Sequence, residues 1–224
     1  MAGKFQRILY GGDYNPNQWP EEVWKEDMRM FRKAGINSAT INVFSWAKLQ
    51  PSEETYYFDE LDKIVDMLSA EEDDIVMVGS YYALNPVLRE KILELLDQAR
   101  DKKAIIYYDP NFRSSHKNEA MKLAPTIIEN LEYADIVRGS LEDFFYMYGM
   151  QDADKIYKDK IKFYCPRFIC TAGGDKVSLR TNQVSKEYPI EPLDAVSTIG
   201  AGDNFNAGLI YGLLKYDVRY RDLN

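Results

Sequence analysis

Sulfur and imidazole are scarce in this chain. Its 224 residues hold two cysteines, Cys165 and Cys170, and a single histidine, His116. Two neighbouring thiols and one imidazole make neither a disulfide framework nor a zinc-ligand pattern, so buried or idle thiols in a reducing cytoplasm are expected. Long apolar runs are also missing. No stretch approaches the ~20 residues of a membrane span, so no membrane partner is expected. Met1-Ala2-Gly3-Lys4-Phe5-Gln6-Arg7 lacks the apolar core of a secretion signal. Positive charge is in deficit, with 28 Lys and Arg against 36 Asp and Glu and a net charge of −8. That balance argues against a nucleic-acid surface but says little about a phosphorylated small molecule, which local N–H groups and a metal can hold. There is no internal repeat and no low-complexity linker. What remains, 46% hydrophobic and 29% charged, is the composition of a globular protein. The length suits one large domain or two small ones.

The apolar pattern alternates strand with helix. Ile8 to Tyr14 reads as a strand leaving through Gly11-Gly12-Asp13. Pro20 opens a helix in which Val23, Trp24, Met28, Phe31 and Ala34 recur at helical spacing, and Gly35 closes it. Ser38 to Phe44 alternates as a strand, and a second helix starts at Asp59. This βαβα opening is that of a parallel sheet or barrel. Glu71-Glu72-Asp73-Asp74, read as a solvated loop, marks a change of character. Beyond it, strands are expected at Ile75–Val78, Ala104–Tyr108, Asp135–Val137 and Phe168–Thr171. Helices are expected from Pro86, over Glu119–Leu131 with Pro125 bending or interrupting it, and over Leu141–Tyr148 up to Gly149. Lys176–Arg180 and Gln183–Tyr188 read as a hairpin joined at Thr181-Asn182. A sheet continuous with Ile75–Val78 and a barrel through the junction both fit, and the hairpin favours an open sheet for the second part.

The most informative stretch runs from Ser197 to Gly208. A glycine-spaced turn leads into an apolar helix carrying Leu209, Ile210, Leu213 and Leu214. Gly200, Ala201 and Gly202 put backbone N–H groups at the positive end of a helix dipole, which together suit an anion. Asp203 in the same turn has the wrong sign to hold phosphate and the right chemistry to accept a proton. An anion cradle beside a carboxylate is what phosphoryl transfer to a hydroxyl requires. The plainer reading is a tight turn with Asp203 as helix N-cap.

The run Gly-Ala-Gly-Asp-x-Phe-x-x-Gly from Gly200 to Gly208 resembles the C-terminal signature of the ribokinase/pfkB-type carbohydrate kinases. Asp109-Pro110-Asn111-Phe112-Arg113 is similar to that family's Asp-Pro-Asn-x-Arg stretch, though on its own it is ordinary turn chemistry. Thr171-Ala172-Gly173-Gly174 is similar to the loop bordering the nucleotide. The resemblance implies ATP and Mg²⁺ as cofactors and Asp203 as catalytic base. It also implies an anion site at Gly200, Ala201 and Gly202. Nucleotide or substrate contacts would come from Asp109, Asn111, Arg113, Thr171, Gly173 and Thr198. Ser140 and Asp143 stand where the family has Asn-x-x-Glu, so a metal role for Asp143 competes with a simple helix cap at Ser140. Ser197 stands where many members have Asp.

A second resemblance covers about Ile8 to Leu68. Tyr10-Gly11-Gly12-Asp13-Tyr14-Asn15-Pro16, Gln18-Trp19-Pro20, Ala34-Gly35-Ile36-Asn37, Val43-Phe44-Ser45-Trp46 and Tyr57-Phe58-Asp59 are similar to the start of the family 42 glycoside hydrolases, the β-galactosidase type. There they would form the first two βα units of a (β/α)8 barrel. That family's catalytic glutamates lie on later strands, and nothing after Leu68 resembles those strands.

Two domains are therefore expected: 1–70, a βαβα segment resembling a barrel start, and 74–224, a truncated kinase core. The join lies near Ser69 to Asp74. The fold class is α/β, with a mainly parallel sheet, flanking helices and a Rossmann-like ribokinase core in the second part. By that resemblance the kinase-like part is expected to lack its family's N-terminal sugar-binding region and β-sheet lid and the helices that enclose adenine. The partners implied are a sugar and a nucleotide, with a homodimer as the assembly to test. Three functions compete: a sugar kinase, a glycoside hydrolase relative, and a non-catalytic α/β chain.

Overall fold

The structure is a computed structural model that describes residues 11–36, 38–41, 46–52, 54–68, 74–191, 198 and 200–223. Most of the expected junction near Ser69 to Asp74 lies outside these, as do Ser197, Ile199 and the run 42–45. The chain divides into two compact units: Met1–Ser69 with Phe205–Asp217, and Ala70–Asn204 with Val218–Asn224.

In the first unit, β1 (Gly11–Tyr14) pairs in parallel with β2 (Ser38–Ile41), joined through helix α1 (Glu21–Ala34). Glu21 and Glu22 sit in the first turn of α1, where they suit the dipole, and Gly35 ends it at φ 71°, a left-handed cap open to glycine. Trp24 and Met28 are its buried residues. The Trp24 indole N–H donates to the Pro16 carbonyl at 2.7 Å, so its one polar atom is satisfied. Tyr14 stacks edge-on against Phe31 and donates its hydroxyl to Asp27 at 2.9 Å. A short helix α2 (Trp46–Leu49) and the helix α3 (Asp59–Leu68) follow, with Ile64 buried. The sequence leaves open a sheet running on from β2 into Ile75–Val78. Among the described residues β1 and β2 form a two-stranded sheet of their own.

The second unit is built on a six-stranded sheet in the order β3 (Ile75–Gly79), β4 (Ile105–Asp109), β5 (Ile136–Ser140), β6 (Phe168–Ala172), β7 (Lys176–Arg180) and β8 (Ser185–Pro189). The first four strands are parallel and the last two antiparallel. This is the open, mostly parallel α/β sheet expected, with the expected hairpin at its edge. Helix α4 (Arg89–Asp101) crosses from β3 to β4, α5 (Ala120–Tyr133) from β4 to β5, and α6 (Leu141–Tyr148) with α7 (Ala153–Ile156) from β5 to β6. Strands added always in one direction, by right-handed crossovers, place every connection on one face. The packing agrees. Tyr108, Val137, Phe168 and Cys170 share one buried cluster with Ile127 and Leu131 of α5 and Phe144 and Met147 of α6. Ile106 packs with Leu96 and Ala99 of α4. Side chains alternate along a strand, so Asp109, Arg138 and Thr171 belong to the other face.

Two expected helix features differ. Residues 86–88 form a turn and α4 begins at Arg89. Pro125 does not interrupt α5, which runs unbroken from Ala120 to Tyr133. Burial of Leu123, Ile127 and Leu131 on the same helix outweighs the one backbone hydrogen bond that proline removes. Helix α8 (Ala201–Lys215) follows the glycine turn as expected. Both cysteines are buried, and burial pushes the Cys165 thiol up to about 11 and the Cys170 thiol up to about 12. Burial thus favours the protonated thiol over the nucleophilic thiolate at both positions.

The sheet also explains a glycine. A Cβ on Gly79 would overlap the Asp109 backbone carbonyl oxygen. A Cβ on Gly139 would meet the Phe144 ring at 2.6 Å, and a ring can turn where backbone cannot. Gly79→Ala is expected to cost about 1–3 kcal/mol or more by overpacking, and more than Gly139→Ala, in urea unfolding. A Gly79→Ala midpoint equal to that of the parent would mean β3 does not approach Asp109 this closely.

Candidate functional site

The carboxyl ends of β3 to β6 lie along one edge of the sheet, the edge where open α/β proteins bind ligands. Asp109 ends β4, and parallel pairing of Tyr108 with Val137 brings Arg138 of β5 next to it. The Arg138 guanidinium donates from Nη1 to Asp109 Oδ2 at 2.9 Å and from Nη2 to Thr171 Oγ1 at 3.0 Å. All three side chains are buried: Asp109 is 3%, Arg138 6% and Thr171 8% exposed. A charge this deep is tolerable only when paired and hydrogen-bonded, and here it is both. The third approach comes from the glycine turn. A Cβ on Gly202 would stand 3.3 Å from Arg138 Nη1. Arg138 therefore joins the Asp-Pro-Asn loop, the Thr-Ala-Gly-Gly loop and the Gly-Ala-Gly-Asp turn, which are far apart in sequence.

The backbone around Asp109 is unusual. Ser80, just after β3, has φ 57°, and Asn111 has φ 42°. Neither is glycine, and such conformations cost free energy that the surroundings must supply. Ser80 N–H donates to the Asp109 carbonyl at 3.1 Å, and Asn111 N–H donates to Asp109 Oδ1 at 3.2 Å. Strained backbone of this kind gathers at ligand-binding edges.

The glycine turn is open and conformationally demanding. Gly200 has φ 79°, and among the described residues no atom beyond its chain neighbours lies within 4 Å of a Cβ placed there. Ala201 N–H bonds back to the Thr198 carbonyl at 3.1 Å, so that amide closes the turn. The first amides inside α8 have no carbonyl four residues back within the helix to bond to, the usual condition of a helix start. Asp203 is exposed and lies in the first turn of α8, which begins at Ala201. The plainer alternative, Asp203 as the N-cap itself, is therefore corrected. It sits inside the helix start, because the left-handed Gly200 already turns the chain one step earlier.

Ser140 and Asp143 form a reciprocal cap on α6. The Ser140 hydroxyl accepts from Asp143 N–H at 3.1 Å, and Asp143 Oδ2 accepts from Ser140 N–H at 2.6 Å. This is a capping box with aspartate in the glutamate position. Burial raises the Asp143 pKa above the usual aspartate range, although its bonds from Ser140 pull the other way. Among the described residues no group of three or more His, Cys, Asp or Glu side chains could hold a metal ion.

Of the residues singled out from sequence, Asp109, Thr171 and Gly202 meet at Arg138. Asn111 borders them, while Arg113, Gly173, Thr198, Gly200, Ala201 and Asp203 are exposed. Arg138 itself was not singled out. Its signal was one charge placed after Ile136-Val137 in a strand that packs on both faces.

Comparison with known proteins separates the two parts of the chain. A family model described as beta-galactosidase, of the glycoside hydrolase 42 type, matches residues 13–130, more than half of the chain. The chain belongs to this family. Beta-galactosidase LacZ of Heyndrickxia coagulans is 64% identical over 69 residues, which are 31% of this chain and 10% of that protein. Beta-galactosidase LacA of Lactobacillus acidophilus is 61% identical over 74 residues, 33% of this chain and 11% of the relative. The chain thus spans about a tenth of the length of these relatives. The family match runs past Leu68 into β3, β4 and α5, where the βαβ pattern is common to barrels and open sheets.

Solved structures similar to the chain are sugar kinases of the pfkB/ribokinase type. A double mutant of fructokinase from Vibrio cholerae O395, bound to fructose, ADP and potassium, matches with TM-score 0.62 at 17% identity, covering 86% of this chain and 66% of that one. Aminoimidazole riboside kinase from Salmonella enterica, complexed with aminoimidazole riboside and an ATP analogue, matches with TM-score 0.59 at 23% identity, covering 83% and 65%. Fructokinase from Xylella fastidiosa with bound ATP matches with TM-score 0.62 at 18% identity, covering 96% and 71%. At these identities the likeness is one of fold. Both resemblances stated from sequence are therefore found, one in sequence and one in structure.

Asp143 supplies a pH test. Its folded-state pKa is raised, so its contribution to stability is full below the ordinary aspartate value of 3.8 and is lost as pH rises through the higher folded value. Asp143→Asn keeps an oxygen for the cap and cannot ionise. Its stability relative to the parent is expected to improve as pH climbs from the aspartate range toward neutrality. Urea midpoints measured along a pH series check this, and a difference independent of pH would show that the carboxyl is not desolvated.

Proposed function

We propose that the second unit carries the core of an ATP-dependent kinase that phosphorylates a sugar hydroxyl. The observation that supports this best is the convergence of Asp109, Arg138, Thr171 and Gly202 at the carboxyl edge of the parallel strands, with Asp203 in the adjoining helix turn. Asp203, exposed at the helix start, accepts the proton of the attacking hydroxyl. The turn Gly200-Ala201-Gly202 directs first-turn amides and the helix dipole at the transferred group, with the Ala201 amide holding the turn's shape. ATP with Mg²⁺ supplies the phosphoryl group and offsets its charge when bound. The turn at Gly200, with φ 79° and no described atom within 4 Å of a Cβ placed there, suits a phosphate approached by backbone. In this reading Thr171, Gly173 and Thr198 border the nucleotide and Asn111 and Arg113 the sugar or phosphate, while Asp109, its oxygens bonded to Arg138 and to the Asn111 N–H, holds that loop in place. Asp143, whose Oδ2 serves the capping box, would meet a nucleotide-bound Mg²⁺ only through water. The expected partners are a sugar and a nucleotide, in the cytoplasm, with a homodimer to be tested by sedimentation.

Membership of the beta-galactosidase family supports a second reading, hydrolysis of a galactoside. That chemistry needs two carboxyl groups on opposite sides of the scissile bond. In α1 three carboxylates are engaged on the helix surface: Glu21 with Lys63 at 2.8 Å, Glu26 with Arg29 at 2.5 Å, and Asp27 with the Tyr14 hydroxyl. No turnover of a chromogenic galactoside is expected, and turnover that survives rigorous purification would overturn this.

The kinase reading is tested by Mg-ATP calorimetry and by ATP-dependent phosphorylation of a panel of ketoses, aldoses and ribosides. Asp203→Asn keeps the size of the side chain and removes its basicity. It is expected to lower turnover by about 10²–10⁴-fold, with ATP binding retained and only a small fall in melting temperature from the lost first-turn charge. Turnover equal to the parent's at equal folded fraction rejects the base assignment. A parent that neither binds Mg-ATP nor turns over any substrate supports the non-catalytic reading instead.

A further inference from the structure

Arg138 is placed where an apolar side chain would be cheaper. It follows Ile136 and Val137 on a strand between two others, and replacing a buried ion pair by well-packed apolar groups is often neutral or stabilising. What arginine supplies that an apolar residue cannot is span. The planar fork donates in two directions at once, to Asp109 Oδ2 and to Thr171 Oγ1, and so ties the end of β4 to the end of β6 across β5. The same two nitrogens form the floor under the glycine turn: a Cβ on Gly202 would lie 3.3 Å from Nη1 and 3.7 Å from Nη2. A 3.3 Å approach is tighter than ordinary packing, and the tethered guanidinium has two bonds resisting any shift. Glycine at 202 is thus a matter of space. At Gly200, by contrast, it is a matter of conformation, with φ 79° and no described atom within 4 Å of a Cβ placed there.

We infer that Arg138 is a positioning residue of the candidate site: its tethered guanidinium sets the height of the Gly200–Gly202 turn, and with it Asp203, over the ends of β4 and β6. The catalytic consequence rests on the kinase reading; the seating of the turn does not. Thr171 acts on the turn only through Arg138, by holding Nη2.

Three variants of the full chain test this by amide hydrogen exchange: Gly202→Ala, Arg138→Lys and the double variant, with Thr171→Val as a fourth protein that leaves the buried ion pair intact. Gly202→Ala alone is expected to speed exchange across residues 198–206 by about fivefold, the worth of one hydrogen bond. In the Arg138→Lys background the same substitution is expected to change exchange there by less than about twofold, because the narrower lysine leaves room for the Cβ. Thr171→Val is expected to loosen 198–206 while the β7–β8 hairpin stays protected. If Arg138→Lys does not fold, Thr171→Val decides. Equal effects of Gly202→Ala in both backgrounds, or a Thr171→Val chain with 198–206 unchanged, overturn the seating.

In a parent that phosphorylates sugar, Arg138→Lys or Thr171→Val is expected to lower kcat by up to about 10²-fold with sugar KM little changed, the signature of misplacement. Coupled exchange with unchanged kcat would reduce Arg138 to a structural residue. A parent without Mg-ATP binding or turnover ends the kinase reading, and the exchange measurements still decide the seating of the turn.

Discussion

The ion pair between Arg138 and Asp109 is the contact on which the carboxyl edge of the second unit's sheet depends. Both groups are almost fully buried, and each would be costly alone. Their pairing is possible because β4 and β5 run parallel in a register that sets the two residues side by side. Thr171 then completes the guanidinium's partners from β6. Three strand ends are thereby tied by one side chain, and Gly202 in the turn that starts α8 approaches it, a Cβ there standing 3.3 Å from Nη1.

The handedness of the crossovers explains why this edge is available for chemistry. Because β3 to β6 follow one another in a single direction, α4, α5 and α6 all cover the same face. That face is apolar, filled by residues such as Tyr108, Val137, Phe144 and Phe168. The polar residues alternate onto the opposite face and toward the carboxyl ends. Strain at Ser80 and Asn111 is carried at the same edge, where the rigid strands over-determine the backbone.

The two likenesses of the chain live at different levels. Kinship with beta-galactosidases is a matter of sequence and is densest in the first unit. Likeness to fructokinases and aminoimidazole riboside kinase is a matter of fold, at low identity, and spans most of the chain. The residues from β3 to α5 fall under both, since a βαβ unit with apolar strands and an amphipathic crossover serves barrels and open sheets alike. Function follows from the site rather than from either likeness.

Local signals sufficed for much of this molecule. Helical spacing around Trp24 and Met28, the left-handed stops at Gly35 and Gly149, the alternating hairpin and the glycine turn before α8 were all readable along the chain, because each is settled by residues within a few positions of one another. So were Asp109, Thr171 and the Gly200–Gly202 turn as candidates. Three things required the tertiary structure. Pro125 lies inside a continuous helix because packing of Leu123, Ile127 and Leu131 outweighs a local penalty. Asp203 sits within the first turn of α8 because Gly200 turns the chain ahead of it. Arg138 becomes the centre of the site only when strands far apart in sequence are set side by side, and no local pattern encodes which partners a buried charge will meet.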